Sequence, residues 1–371
     1  IKFLFLISKI LRKSKFLRSF VIKIEQFFSN YKDYILLLDK INPDIVVLTS
    51  HGAFGCDKYL AYAAKTKKIK IVTIILSWDN ITSQTYPAYY ADYVIAWTET
   101  MKNDITRLID YKAEKVIVAG SAYFDAHFQK NIAFNKKETL SKNNLLEGKK
   151  TLFFATKSPN SYPWNPNVVK TIAKAINKNE DLGNCQLLVR PHPIHFRRDR
   201  DGKLVYQEVL DQYEFIASNY KNVIINYPNV YKSSNSFLMK NNESSALNDL
   251  LKSSDIFINL FSTMNIEAAI LDIPIINICF EYEKPMYSFN TENPRFDILS
   301  DVKESHNQRI VDSGGTSIAY SSEQLIELIR RYILDPNLDN LGREVIRNRE
   351  AGPYPGEAGN KIADVILGYL S

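Results

Sequence analysis

The sequence predicts an α/β protein built from two doubly wound, parallel-sheet domains in tandem. Three observations predict it. From about residue 40 onward, short β-rich apolar runs alternate with helical stretches. Several of these runs, such as Asp44–Ser50 (DIVVLTS), are apolar without a break, as in strands buried on both faces. The alternation lapses over a Lys- and Asn-rich stretch, Gln129–Lys150, and then restarts. Repeated β-α-β implies a parallel sheet with helices on both faces.

The elements follow in order. Asp44–Ser50 precedes a helical stretch from Asp57 to Lys67. Then come the strand Lys70–Leu76 (KIVTIIL), the strand Tyr93–Trp97, a helix Glu99–Ile109 and the strand Lys115–Ala119. In the second half the strands are Thr151–Ala155, Gln186–Val189, Val223–Asn226, Asp255–Leu260 and Pro274–Cys279. Helices near Val168–Asn177, Glu208–Ser218, Ala246–Lys252 and Ile266–Leu271 separate them, and Ser322–Leu334 is a strongly amphipathic helix. A Gly/Pro break (AGPYPGEAG) leads to a final helix, Lys361–Leu370. The expected organisation is a first domain over 1–135, a linker over 136–150 and a second domain over 151–345. Residues 346–371 would form a closing helix packed back on the first domain.

Composition excludes other classes. With 13 Gly and 14 Pro in 371 residues, collagen-like and low-complexity readings fail. Three widely spaced cysteines, Cys56, Cys185 and Cys279, make neither a disulfide framework nor a metal cluster, so a reducing, cytoplasmic setting is expected. No apolar run reaches the ~20 residues that span a bilayer. The net charge of +6 is localised: seven Lys and Arg and no acidic residue precede Glu25, while the remaining 40 basic and 41 acidic residues nearly cancel. A nucleic-acid protein would spread its basic residues over a binding face, so no nucleic-acid partner is expected.

That basic segment supports two compatible readings. A strand at Phe3–Ile7 followed by a helix would open the first domain, with Ile10, Leu17, Val21, Ile24 and Phe28 on one stripe. The same residues 1–28 would also make a basic amphipathic surface for anionic lipid, giving a cytoplasmic protein peripheral at the inner face of the membrane. A signal peptide is not expected, because basic residues interrupt the apolar region and no small-residue cleavage site follows. The chain opens on Ile, so residue 1 is not taken as a natural start.

Ligands of open parallel sheets sit beyond the carboxyl ends of strands, so a cleft between two such domains would lie between their carboxyl edges. Polar and ionisable residues collect there. Ser262-Thr263 open a helix after Asp255–Leu260, where backbone N–H groups and the helix dipole favour a phosphate. Glu267 lies one turn on and could accept from ribose hydroxyls. The competing reading makes Ser262 or Thr263 an N-cap and leaves Glu267 in solvent. Arg190 and His192, in Arg190-Pro191-His192-Pro193, follow another strand. Arg offers a forked donor to phosphate, and His can bond phosphate oxygen or give a proton to a leaving group. The cluster from His195 to Asp201 reads as a solvated loop.

In the first domain, SWDNITSQ at 77–84 is dense in groups able to recognise hydroxyls: Ser77, Asp79, Asn80, Thr82 and Ser83, with Trp78 among them. Asp-Asn is also ordinary turn chemistry. His51, after the first strand, is a second candidate base. No P-loop, G-x-G-x-x-G or H-E-x-x-H occurs, which removes the main support for kinase, NAD-enzyme and zinc-protease readings.

On these residues the chain resembles a GT-B glycosyltransferase of the kind that builds bacterial surface polysaccharides, over roughly residues 40–371. RPHP at 190–193 and DIFINLFSTMNIEAAILDIPIINI at 255–278 carry most of the likeness; the latter is a form of D-x-x-x-x-x-x-S-[ST]-x-x-x-E-A-x-x-x-x-x-P. SWDNITSQ is similar to an SWDN-L-T-S-K-G segment of sugar- and polyol-phosphate-transferase-like proteins, with Gln84-Thr85 in place of Lys-Gly. The ending PYPGEAGNKIADVI is also similar to that group. His-Pro with Ser-Ser/Thr further resembles sialyl- and Kdo-transferases and CDP-glycerol glycerophosphotransferases.

The resemblance implies two Rossmann-like domains facing across a cleft, with donor on the second and acceptor on the first. It implies transfer of a sugar from a nucleotide-activated donor to a hydroxyl of a capsule, lipopolysaccharide or lipid-linked glycan. Neither metal nor cofactor is expected beyond the nucleotide sugar as co-substrate. Catalytic candidates are Asp79, His51 and His192. Donor-binding candidates are Arg190, Ser262, Thr263 and Glu267, with Lys157 and His306 as additions and Gly314-Gly315 as a close backbone approach to the donor. Acceptor-binding candidates are Ser77, Trp78, Asn80 and Ser83. The alternatives are a CDP-polyol phosphotransferase, a UDP-sugar 2-epimerase of the same fold, and a non-catalytic glycan- or nucleotide-binding subunit.

Overall fold

Runs of β-branched and aromatic residues with no polar interruption pair side by side only where helices shield both faces of the sheet. The computed structural model describes residue 11 and residues 14–52, 55–83, 86–128, 134–178, 180–231, 239–240, 243–287 and 297–370. The strand expected at residues 3–7 and the Gln84-Thr85 departure lie outside them. The chain divides into two units: Ile1–Asp125 with Arg349–Ser371, and Ala126–Asn348.

In the first unit, β1 (Ile45–Leu48), β2 (Lys70–Ile74), β3 (Tyr93–Ala96) and β4 (Val116–Val118) form a parallel sheet in the order β1-β2-β3-β4. Its register pairs Val46 with Ile71, Val72 with Tyr93 and Val94 with Val116. Tyr62 and its alanine neighbours on helix Asp57–Thr66 pack against Val46, Leu48 and Ile71. Val72, Ile95 and Ala119 meet Ile362 on the closing helix Ala358–Leu367. Asp125 holds that helix by its first turn, accepting from the amides of Ala358 at 3.0 Å and Gly359 at 2.8 Å. Just beyond it Tyr369 stacks on Tyr93, ring centroids 3.8 Å apart.

Helix Lys15–Phe28 departs from expectation. Its stripe of Val21, Ile24 and Phe28 is exposed, and Ile22 is its one buried residue. The helix Lys32–Ile41 that follows was not expected from the sequence.

The second unit carries six parallel strands: β5 (Lys150–Ala155), β6 (Cys185–Arg190), β7 (Val223–Ile225), β8 (Ile256–Asn259), β9 (Ile275–Ile278) and β10 (Ser317–Ala319). Their order is β10-β9-β8-β5-β6-β7. Residues β6, β8 and β9 are buried throughout, as strands covered on both faces must be. The helix Ser322–Leu334 runs over the span its pattern predicts. Ser321 caps it through the Gln324 amide, and Leu325, Leu328, Ile329 and Tyr332 form its buried stripe.

The segment read as a linker contains helix Lys136–Lys142, capped by Asn135 through the Glu138 amide and grouped with the second unit. Its few apolar residues hid it: Leu140 and Leu145 are buried, and the Gln186 side chain bonds both backbone groups of Leu146.

The paired glycines before β10 meet protein backbone. A Cβ on Gly315 would overlap the backbone of Gly342, and one on Gly342 would overlap Gly314 and Gly315. The close approach expected toward a donor is thus made to the helix Asn340–Glu350. Backbone against backbone has no flexible side chain to yield. Gly342→Ala is therefore expected to lower the unfolding free energy by about 3 kcal/mol, the upper end for overpacking. Urea unfolding checks it, and unchanged stability would mean that the two segments separate freely.

Candidate functional site

Strand order in the second sheet reverses between β5 and β8: the chain leaves β5 for β6 on one side and β8 for β9 on the other. The crevice beyond the carboxyl ends at such a reversal is where open α/β sheets take ligands. There β5 continues into Thr156-Lys157, and β8 into Leu260-Phe261-Ser262-Thr263.

A line of buried amides supports the second loop. Asn259 Nδ2 donates to Asn265 Oδ1 at 2.8 Å, Asn265 Nδ2 to Asn277 Oδ1 at 3.3 Å, and Asn277 Nδ2 to Thr316 Oγ1 at 2.7 Å. The loop hangs from the same groups. Phe261 N bonds Asn277 Oδ1 at 2.9 Å, and Ser262 bonds Asn259 Oδ1 through its N at 3.0 Å and its hydroxyl at 3.1 Å. Phe261 is held at φ 50°, a left-handed conformation that costs a non-glycine residue about 1 kcal/mol or more. Ser262 is thereby a scaffold residue. The Thr263 side chain makes no cap bond at the start of helix Met264–Ile270, and among the described residues its hydroxyl has no hydrogen-bond partner.

On the neighbouring strand edge, Thr156 Oγ1 accepts from the amide of His192 at 3.0 Å. His192 Nδ1 accepts from the Ile194 amide at 3.2 Å, so the neutral ring carries its proton on Nε2 as a donor. The residue keeps solvent exposure, yet burial among protein atoms pulls its imidazole down from the usual 6.5 to about 4. His195, read from the sequence as part of a solvated loop, is instead fully buried, with Nδ1 2.8 Å from the His192 carbonyl oxygen.

Three donor-binding candidates are engaged by carboxylates or by histidine. Arg190 is buried, its guanidinium donating to Glu243 and Asn226, so its forked donor is already engaged. A buried cation needs such a partner. Lys157 pairs with Asp301, its side chain 23% exposed. Glu267 is 2% exposed, with Oε2 3.0 Å from His127 Nε2, and so faces neither solvent nor an open ribose site. His306 is also buried, on helix Ser305–Asp312. Sequence reasoning missed Glu243, Asp301 and His127, whose partners stand far along the chain. It also passed over the asparagines inside FIN and IINI, where a polar residue in an apolar strand was a readable signal.

The first-unit candidates form a turn bonded to itself. Ser77 Oγ donates to Asp79 Oδ1 at 2.5 Å and Ser83 Oγ to Asp79 Oδ2 at 3.0 Å, while Asn80 Oδ1 accepts from Ser77 N at 2.9 Å. Both carboxylate oxygens of Asp79 thus accept hydroxyls of their own turn, the local Asx chemistry that Asp-Asn offers. Trp78 is buried, its indole N–H donating to Glu350 at 3.0 Å, and so is not an acceptor platform. His51 is buried, and among the described residues neither ring nitrogen has a hydrogen-bond partner. Burial holds it down to about 4, and His195 down to about 3. Among the described residues no group of three His, Cys, Asp or Glu could hold a metal ion.

The sequence of residues 90–334 matches a family described as a protein of unknown function, DUF354. The chain belongs to that family. Comparison with curated proteins gives no match. Among solved structures, the chain is similar to an S. aureus MnaA–UDP co-structure (14% identity, TM-score 0.60, 95% of this chain and 81% of that one). It is also similar to a UDP-GlcNAc 2-epimerase from Neisseria meningitidis bound to UDP-GlcNAc (16%, TM-score 0.59, 91% and 80%). A glycosyltransferase from Rickettsia africae is a third (14%, TM-score 0.50, 92% and 80%). At these identities the likeness is one of fold. The two doubly wound units have the GT-B fold.

Two predictions follow from this chemistry. Arg190→Met leaves Glu243 buried and unpaired, and is expected to cost about 3–5 kcal/mol of stability in urea unfolding; a variant of wild-type stability would free Arg190 for a ligand role. His51 and His195 are neutral when folded but titrate near about 6.5 when unfolded. Below that pH the unfolded chain binds the extra protons, so stability falls with pH until the folded values are passed. Each contributes about 1.4 kcal/mol per pH unit in its window. In His51→Leu the slope between about pH 6 and 4.5 should drop by one such contribution, and an unchanged slope would mean that His51 is already charged in the folded protein.

Proposed function

We propose that the second unit binds a nucleotide-activated sugar at the β5/β8 reversal. The sugar is then transferred to a hydroxyl of a surface-glycan or lipid-linked acceptor without a bound metal. The observation that carries this reading is the reversal itself, bordered by the available Thr263 hydroxyl and, one strand on, by the exposed His192. Support also comes from fold neighbours whose structures hold UDP and UDP-GlcNAc.

Charge builds on the departing nucleotide phosphate as the sugar bond breaks, and preoriented donors lower that barrier. Thr263 Oγ1–H and His192 Nε2–H are such donors. Lys157 adds a cation once a phosphate competes with Asp301 for it. For Glu267 to reach a ribose its bond to His127 would have to open, so the proposal does not depend on it. The first-unit candidates for taking an acceptor proton are Asp79, whose carboxylate accepts from its own turn, and the buried His51, and the donor-site reading does not depend on either.

An epimerase of the same fold is the second reading, favoured by those same UDP-GlcNAc 2-epimerase structures. It differs in needing no acceptor.

The test is thermal stability of the purified chain against CMP, CDP, UDP, GDP and dTDP. Ligand at about 100 times its Kd should add about 2.7 kcal/mol, a clear melting shift. In Thr263→Val the shift should weaken, with affinity about tenfold lower for one lost hydrogen bond to a charged group and unliganded stability unchanged. No shift with any nucleotide overturns the donor-site reading. With the responding nucleotide's sugars, isomerised sugar formed without acceptor would select the epimerase over the transferase.

A further inference from the structure

Helix Lys15–Phe28 is mounted the wrong way round for a soluble surface. An ordinary surface helix turns its apolar stripe to the core and its charges outward. Here the inward side carries Ile22 together with Arg18, 2.7 Å from Asp110, and Glu25, 2.8 Å from Lys58. At 3.6 residues per turn, Phe16, Phe20, Ile24 and Phe27 fall within an arc of about 80° on another side. They are 76%, 52%, 41% and 81% exposed. Leu36 and Ile41 on the next helix are 66% and 60% exposed. Soluble proteins do not leave large aromatic stripes bare unless something covers them.

We infer that this face of the first unit rests on an anionic lipid surface, with the phenylalanines among the acyl chains and flanking lysines at the headgroups. Charge selects that occupant. Seven basic residues and no acidic one precede Glu25; Arg18 among them is paired with Asp110, whereas Lys23, beside Phe16 and Phe27 on the helical wheel, is exposed. A second copy of the chain docked through the same face would bring two such segments together, and like charges oppose that contact. Phosphate headgroups attract both the segment and Lys23. No helix among the described residues is long and apolar enough to cross a membrane, so the helix lies in the interface plane.

The experiment is co-sedimentation of the intact chain with vesicles of phosphatidylcholine alone or mixed with phosphatidylglycerol. The wild type should bind the mixed vesicles at least about tenfold better, and added salt should weaken that binding. Phe16→Ser/Phe20→Ser/Phe27→Ser should lose binding about tenfold or more with an unchanged melting temperature, because the three rings are exposed. Lys23→Glu should weaken binding to the mixed vesicles alone, which tests the charge without touching the rings. Absence of vesicle binding, equal binding to both vesicle types, or a triple variant that binds like the wild type would each overturn the inference. Self-association abolished by the triple variant, without vesicle binding, would assign the face to a second copy. The nucleotide melting shift of the triple variant should match the wild type, so failure here is distinct from failure of the donor site.

Discussion

The line of amides from Asn259 through Asn265 and Asn277 to Thr316 is the constraint on which the second unit's strand edge depends. Each buried amide must find partners or cost about 1–3 kcal/mol, and here the partners are one another and the loop overhead. Because Asn277 Oδ1 and Asn259 Oδ1 accept from the backbone of Phe261 and Ser262, the loop is fixed from below. The left-handed turn at Phe261 is tolerated for the same reason, since several bonds over-determine it. Thr263 then emerges at a defined place, its hydroxyl unpartnered among the described residues.

Around that edge the charged groups are already matched. Arg190 with Glu243 and Lys157 with Asp301 occupy partly or fully buried positions where an unmatched charge could not persist, and the buried Glu267 carboxylate lies 3.0 Å from His127. The pairs form a graded set. Arg190 and Glu243 are closed off from solvent, whereas Lys157 keeps nearly a quarter of its side chain exposed. An incoming phosphate could therefore exchange with Asp301 at far less cost than with Glu243. In the proposed donor site the electrostatic work would fall to the half-open pair.

Much of the fold was legible because the signals were local. Continuous apolar runs marked the strands, and Leu325, Leu328, Ile329 and Tyr332 at helical spacing behind a Ser321 cap marked Ser322–Leu334 to the residue. β10 was not legible, since Ser317–Ala319 offers a single β-branched apolar residue, Ile318, where the equally short β4 and β7 are wholly apolar and β-branched. Nor was Asn340–Glu350, which is anchored by the fully buried Arg343 bonding Asp272, Leu338 O and Pro336 O. At the site, sequence pointed to the strand ends but not to who meets whom across them. Arg190 and Glu243 are both visible in the chain, yet only the sheet brings them together. For Asp79 the turn chemistry was local, and both of its carboxylate oxygens accept hydroxyls of its own turn.

The closing helix Ala358–Leu367 covers a sheet whose strands all lie before Asp125. Lys70 donates to the Tyr369 carbonyl across 299 positions of sequence. During synthesis on a ribosome, the first four strands would emerge with one apolar flank bare and stay so while the whole of Ala126–Asn348 is made. That middle unit is continuous and can fold as it leaves the exit tunnel. The part translated first is thus the part completed last, and in the interval its uncovered strands are the stretch a holding chaperone would need to shield.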